Sequence, residues 1–116
     1  MKRTPLKQVG KIGRINAKAN KKIAELWIEH DIERCEVCPV LHEMGLLDWS
    51  CLQASSNAHR HSRHDYRSCP EKLWSFNQVV RACIKAHTYI DQTNPSIKEE
   101  VFLILRGEDD ITTRSH

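Results

Sequence analysis

Thiol side chains recur in this 116-residue chain at a spacing that metal sites use. Cys35 and Cys38 are separated by two residues, so both thiolates can approach one ion from a tight turn. Two other interpretations stay open: a pair of small buried residues, or a redox motif, which would need a strand–helix setting that the flanking sequence does not indicate. We interpret the pair as half of a zinc site.

A zinc site needs four ligands, and Cys83 is the clearest candidate for the second half. A second pair with the same spacing would require cysteine at position 86, where the chain has Ala86. The sequence leaves the fourth ligand open among His42, Cys51, Cys69 and a water molecule, with an incomplete site as the remaining alternative.

Imidazole and carboxylate groups form a second set. His87 and Asp91 are four residues apart, so a helix would bring both to one face, where they could bind a divalent cation or form an ordinary exposed ion pair. Upstream, His59, His61 and His64 lie in a segment that looks extended. Histidine suits proton transfer at neutral pH because its unperturbed pKa is about 6.5.

Hydrophobic periodicity predicts the elements that would position these residues. We expect a mobile basic arm over residues 1–14, a helix from Ile15 to near Asp31, and a turn at Gly45. Further along, we expect a short hairpin around residues 51–61, a helix over 79–91, and a final helix that begins at Asn94-Pro95 and stops before Gly107. These elements predict a single α+β domain.

Composition and charge narrow the class of protein. No run of apolar residues approaches the roughly 18 that a membrane span needs. We do not expect the start of the chain to be a secretory signal. We therefore expect a cytoplasmic protein with reduced thiols and no membrane partner. Residues 1–22 carry eight Lys or Arg and no acid, and the rest of the chain carries a net charge of −5, for a total of +3.

The order of these residues resembles the HNH endonucleases of the ββα-metal (His-Me finger) fold. The resemblance is carried by His59, Asn77 and His87 with Asp91, framed by the Cys35–Cys38 pair and Cys83, and covers roughly residues 20–92. The basic opening MKRTPLK and the helix that runs into the cysteine pair are similar to small phage-type members. The resemblance implies a small ββα-metal core with flanking helices, in a phage-infected or prophage-bearing bacterial cell.

The family's roles transfer residue by residue as implications of this resemblance. His59 would be the general base that activates water, with His61 as its competitor and as a further metal ligand. Asn77 would tie the loop to the hairpin and orient the base. His87 and Asp91 would hold the catalytic cation, and the carboxylate favours Mg²⁺ or Mn²⁺ over Zn²⁺.

The expected partner is DNA, with no obligatory small-molecule substrate. The candidate phosphate contacts are basic residues beside His59 and in the arm: Arg60, Arg63, Lys2, Arg3, Lys7, Lys11 and Arg14. The arm could equally be a solubilising tail. We expect an arm (residues 1–14), an HNH-like nuclease domain (15–106) and a C-terminal tail (107–116).

Two alternatives accompany the nuclease interpretation. Ala58 and Ala86 stand where many family members carry a metal ligand and a cysteine, which favours a zinc-stabilised nucleic-acid-binding or protein-interaction module without catalysis. A small helical protein with purely structural cysteines and histidines is the other alternative.

Overall fold

The computed structural model describes residues 5–111, with the backbone alone at residues 5–13 and Arg63. Within this range the chain combines α-helices with a two-stranded antiparallel sheet, in agreement with the predicted mixture of both. In chain order the elements are α1 (Pro5–Glu29), α2 (Val37–Glu43), β1 (Ala54–His59), β2 (Val79–Cys83), α3 (Ile84–Thr88) and α4 (Lys98–Arg106). None of the helices among the described residues is long and apolar enough to cross a membrane.

Helix α1 is longer than the sequence predicts. Ala19, Ile23 and Trp27 recur at every fourth position and are buried, as the periodicity from Ile15 requires. The helix already begins at Pro5, because proline has a preset φ and no N–H to lose in the first turn. Residues 5–14 are therefore helical where we predicted a mobile arm, and the predicted end near Asp31 agrees with the positive φ of that residue.

The sheet lies between two groups of helices. Ala58 pairs with Val80 and His59 with Val79, and a bulge interrupts the ladder between Ala54 and Ser56. Ala58, Val80 and Ala82 face a core built with α2, α3 and α4. On the opposite face, Val79 packs with Ile23 and Trp27 of α1. Strand β2 is thus covered on both sides.

This double burial explains the largest error of the sequence analysis. The predicted helix over residues 79–91 is instead β2 followed by α3 and a π-helical turn at Tyr89–Thr93. Four of the five residues of β2 are apolar and buried, and Arg81 alone interrupts them. The segment therefore lacks the alternation of a half-buried strand, and periodicity cannot distinguish it from a buried helix. The hairpin expected within residues 51–61 is likewise a single strand, β1, whose partner is β2.

The end of the described chain is packed onto the domain. Helix α4 ends before Gly107, as predicted, and the φ of Gly107 is +85°. Its predicted start at Asn94-Pro95 is instead a 3-10 turn at Pro95–Ile97, and the α-helix begins at Lys98. Residues 107–111 differ from the expected tail because they bind the loop between the strands. The Gly107 carbonyl accepts a bond from Arg60, and the Asp110 carboxylate accepts bonds from Lys72 and Gln78.

Candidate metal centre and candidate catalytic cleft

Four cysteines from separate segments meet at one point. The Sγ atoms of Cys35, Cys38, Cys51 and Cys83 all lie within 4.8 Å of one another. Three of these cysteines are buried, and Cys51, in the loop before β1, is exposed. The tertiary structure thus selects Cys51 as the fourth member. Cys69 contacts Glu71 and is not in the group.

Two of the four sulfur atoms sit in matching turns. The Cys35 Sγ accepts a bond from the backbone N–H of Cys38 at 3.4 Å, and the Cys83 Sγ accepts one from the N–H of Ala86 at 3.5 Å. Cys83 is also the N-cap residue of α3. Such N–H donors stabilise thiolates. Ala86 in the second turn thus stands at the position that Cys38 has in the first turn. The second turn therefore contributes one sulfur instead of two, and Cys51 contributes the fourth sulfur of the group.

The donor set fits a tetrahedral zinc ion. Four sulfur atoms at about 2.3 Å from zinc lie about 3.8 Å from one another, and the Sγ atoms of Cys38 and Cys83 are 3.5 Å apart. Burial raises the pKa of the Cys38 thiol, and its contact with Cys83 raises it further. Burial also opposes ionisation of Cys83, but hydrogen bonds from the backbone of Ala86 and Leu52 lower its pKa to about 7. The group could therefore hold a metal ion such as zinc.

A second site is an open cleft of about 450 Å³ beside β1. Its walls combine residues from the end of β1 with residues from α3, the π-helical turn and α4. The lining residues are Asn57, His59, Arg60, His61, Ser62, His87, Asp91 and Lys98. His59, His61, His87 and Asp91, which the sequence analysis selected, thus border one cavity.

On the helix side of the cleft, four polar side chains form a chain. His87 Nε2 lies 2.8 Å from Asp91 Oδ2, and Lys98 Nζ lies 2.6 Å from Asp91 Oδ1. The hydroxyl of Ser56, on β1, contacts His87 Nδ1. The contact with Ser56 orients the imidazole, so that Nε2 of His87 faces the Asp91 carboxylate.

On the strand side, His59 is held by the loop between the strands. Its Nε2 lies 2.8 Å from the carbonyl oxygen of Leu73, in a 3-10 turn at Pro70–Trp74. The ring also meets Tyr66 edge to face at 5.7 Å between centroids. Since a carbonyl oxygen only accepts, Nε2 donates this bond, which makes Nδ1 the proton-accepting nitrogen of a neutral ring.

His61 lines the cleft, but its ring contacts a carboxylate that is not part of the lining. Its Nε2 contacts the Asp109 carboxylate, and its backbone N–H donates to the Tyr66 hydroxyl. Among the described residues, only the four cysteines form a group of three or more metal-binding side chains within 4.8 Å of one another. The expected set of His61, His87 and Asp91 is therefore not assembled, because Asp109 holds His61 elsewhere.

Asn77, in the loop between the strands, bonds to the residue after β1 and to the segment after α4. Its Oδ1 accepts bonds from Arg60 at 3.2 Å and from the backbone N–H of Asp110 at 3.0 Å. Its Nδ2 donates to the carbonyl of Glu108 at 2.8 Å. Arg60 directly follows His59 in the chain, so Asn77 is bonded to the neighbour of His59.

Arg60 does not have the predicted role of a phosphate contact. Its side chain is fully buried and pairs with Glu99 through Nε at 3.0 Å and NH2 at 2.6 Å. Its other bonds go to Asn77 and to the carbonyl of Gly107, and its guanidinium lies over the Phe102 ring. Burial and these bonds leave no accessible donor for DNA. Lys2 and Arg3, and the side chains of Lys7, Lys11 and Arg63, lie outside the described part.

The sequence did not predict two residues at this site: Lys98, which lines the cleft, and Ser56, which contacts His87 from β1. Ser56 pairs with Ala82 in the ladder, next to Cys83, and Lys98 is the first residue of α4. Both reach the His87–Asp91 pair only through tertiary contacts, so neither has a local sequence signal.

Comparisons of the chain with protein-family models, with curated proteins and with solved structures find no match.

Proposed function

We propose that this protein is a metal-dependent endonuclease of the HNH type that hydrolyses phosphodiester bonds in DNA. The observation that carries the proposal is the shared cleft of His59, His87 and Asp91. The element order supports it as well: a strand that ends at His59, a long loop, a second strand, and a helix that begins directly at Ile84 and bears His87.

In this proposal His59 is the general base. Because Nε2 donates to the Leu73 carbonyl, Nδ1 is the nitrogen that takes a proton from the attacking water. The water oxygen then bonds to phosphorus, the bond from phosphorus to the 3′ oxygen breaks, and the leaving oxygen takes a proton from solvent. Asn77 acts as a positioning residue, since it ties Arg60, next to His59, to the loop.

His87 and Asp91 would hold the divalent cation. A bound Mg²⁺ or Mn²⁺ supplies positive charge that stabilises the leaving oxygen. Ser56 orients the His87 ring through Nδ1, which turns Nε2 towards Asp91.

We also propose that the four-cysteine group binds a structural zinc ion. Cys83 caps α3, and His87 lies one helical turn further along. A metal at Cys83 would therefore fix the start of the helix that carries a catalytic ligand.

A plasmid-nicking assay with Mg²⁺ or Mn²⁺ tests the nuclease proposal. The native protein should convert supercoiled plasmid to nicked or linear forms, and His59→Ala and His87→Ala should each lower the rate about 10²- to 10⁴-fold. His42→Ala is the matched control, because His42 is exposed on α2 and should retain activity. Absence of cleavage by folded, metal-loaded native protein, or equal loss in all three variants, would reject the proposal.

One observation favours a second function, a zinc-stabilised nucleic-acid-binding module without catalysis. The Lys98 ammonium lies 2.6 Å from the Asp91 carboxylate. The negative charge of Asp91 is therefore already balanced by a cation of the chain itself. Folded native protein that binds duplex DNA but does not nick it under these conditions would support this second function.

A further inference from the structure

Helix α1 carries a row of exposed cations along one side. Arg14, Lys18, Lys21 and Lys22 are all exposed. At 3.6 residues per turn these positions fall within about 100° of the helix circumference and extend about 12 Å along its axis. We call these four residues the basic ridge. The opposite side of α1, with Ala19 and Ile23, is buried against the domain.

The basic ridge differs from many of the other cations in how its charge is used. Four of the eight basic residues after α1 whose side chains the structure describes form internal salt bridges: Arg60 with Glu99, Lys72 with Asp110, Lys98 with Asp91 and Arg106 with Glu36. Within the described residues, no ridge residue forms a salt bridge, and Lys18 instead lies over the Trp74 ring at 5.5 Å. The ridge therefore keeps its positive charge available to a partner, although the rest of the chain is acidic overall.

The position of the ridge connects it to the cleft. Trp74, under Lys18, belongs to the same 3-10 turn as Leu73, and the carbonyl of Leu73 binds His59. A polyanion bound along the ridge would thus run beside the turn that holds the proposed base.

We propose that the basic ridge binds the phosphate backbone of duplex DNA, independently of sequence, and so orients the substrate at the cleft. This inference rests on the proposed function. A membrane surface fits less well, because the apolar side of α1 is already buried and cannot enter a bilayer. An acidic protein also fits less well, since no large apolar side chain is exposed between Arg14 and Lys22 to act as an anchor.

Salt-dependent binding to a labelled 20-base-pair duplex tests the ridge. Fluorescence anisotropy is measured without added Mg²⁺ or Mn²⁺, so that cleavage does not consume the probe. The ridge variant is Lys21→Gln with Lys22→Gln. The control variant, Arg34→Gln with Lys85→Gln, removes the same charge at exposed positions on other parts of the domain.

The slope of log K against log salt concentration should decrease in magnitude by about 1.8 in the ridge variant, because each lost phosphate contact removes about 0.9. The slope of the control variant should match that of the native protein. Lys21→Arg with Lys22→Arg keeps both positive charges and should bind DNA as the native protein does. Equal losses in ridge and control variants, or an unchanged ridge variant, would overturn the inference. Tighter ridge-dependent binding to single-stranded DNA, or to phosphatidylserine vesicles, would also overturn it.

The nicking assay separates this inference from the proposed function. If the protein binds DNA through the ridge but does not nick plasmid, the result supports the inference about the ridge and rejects the nuclease proposal. If nicking depends on His59 and His87 but DNA binding does not depend on the ridge, the result supports the nuclease proposal and rejects the inference about the ridge.

Discussion

The sulfur atoms of Cys38 and Cys83 lie 3.5 Å apart, although 45 positions separate them in the chain. Cys38 is in the first turn of α2, and Cys83 joins β2 to α3. Their contact links the helix beside the first cysteine pair to the helix that bears His87. The four-cysteine group and the cleft therefore share one short stretch of chain, which runs from Cys83 to Asp91.

The first prediction concerns the fourth zinc ligand. Native protein should contain one equivalent of zinc by elemental analysis, and Cys51→Ser should lose most of it because only three thiolates remain. Cys69→Ser is the matched control and should keep its zinc, since Cys69 is outside the four-cysteine group. Zinc that depends on Cys69 rather than Cys51, or no zinc in the native protein, would contradict the assignment.

The second prediction concerns metal removal. A ligand that binds only the folded state at about 1,000 times its Kd stabilises that state by about 4 kcal/mol, so chelation should lower the free energy of unfolding by about that amount. Amide hydrogen exchange should become faster in Ile84–Thr88, because Cys83 caps this helix, and should change much less in the middle of α1. If the chelator leaves the amide exchange rates of Ile84–Thr88 unchanged, the result would contradict a structural role for the metal.

The third prediction concerns Arg60. Arg60→Met should lower the free energy of unfolding in urea by about 3 kcal/mol, because Asn77 and the Gly107 carbonyl lose a buried donor. Glu99→Gln should cost less, since half of the Glu99 side chain is exposed. Arg67→Ala, at an exposed position, should stay within about 0.5 kcal/mol of the native protein. An Arg60 variant as stable as the Arg67 variant would refute a structural role.

The fourth prediction concerns acid stability. Burial opposes ionisation of Asp109, but hydrogen bonds from Ile111, Gln78 and His61 lower its pKa. A lowered pKa in the folded state stabilises the protein above the unfolded pKa of about 4, and this stabilisation is lost as pH falls through the folded value. The difference in unfolding free energy between native protein and Asp109→Asn should therefore be largest above pH 4 and shrink below it.

The comparison with Asp109→Asn has an internal control. Both proteins carry the same cysteines, so any loss of zinc at low pH cancels in the difference. A difference that is constant from pH 6 to pH 2, or that grows on acidification, would contradict the lowered pKa.

Local patterns in the sequence determined several elements of this protein. The buried positions of α1 from Ala19 onward, the turn at Gly45 and the final helix before Gly107 all depend on residues near each other in the chain. Local conformational preference and helical periodicity act over a few residues, so the sequence alone could predict them.

Only the tertiary structure decided which distant residues meet. Cys51 joins the cysteine group, and Arg60 becomes an internal cation, through contacts with residues far away in the sequence. β2 was mistaken for a helix because both of its faces are covered, by α1 and by the helices of the other layer. Its pairing with β1 across nineteen intervening residues is a long-range event, and no local pattern records such an event.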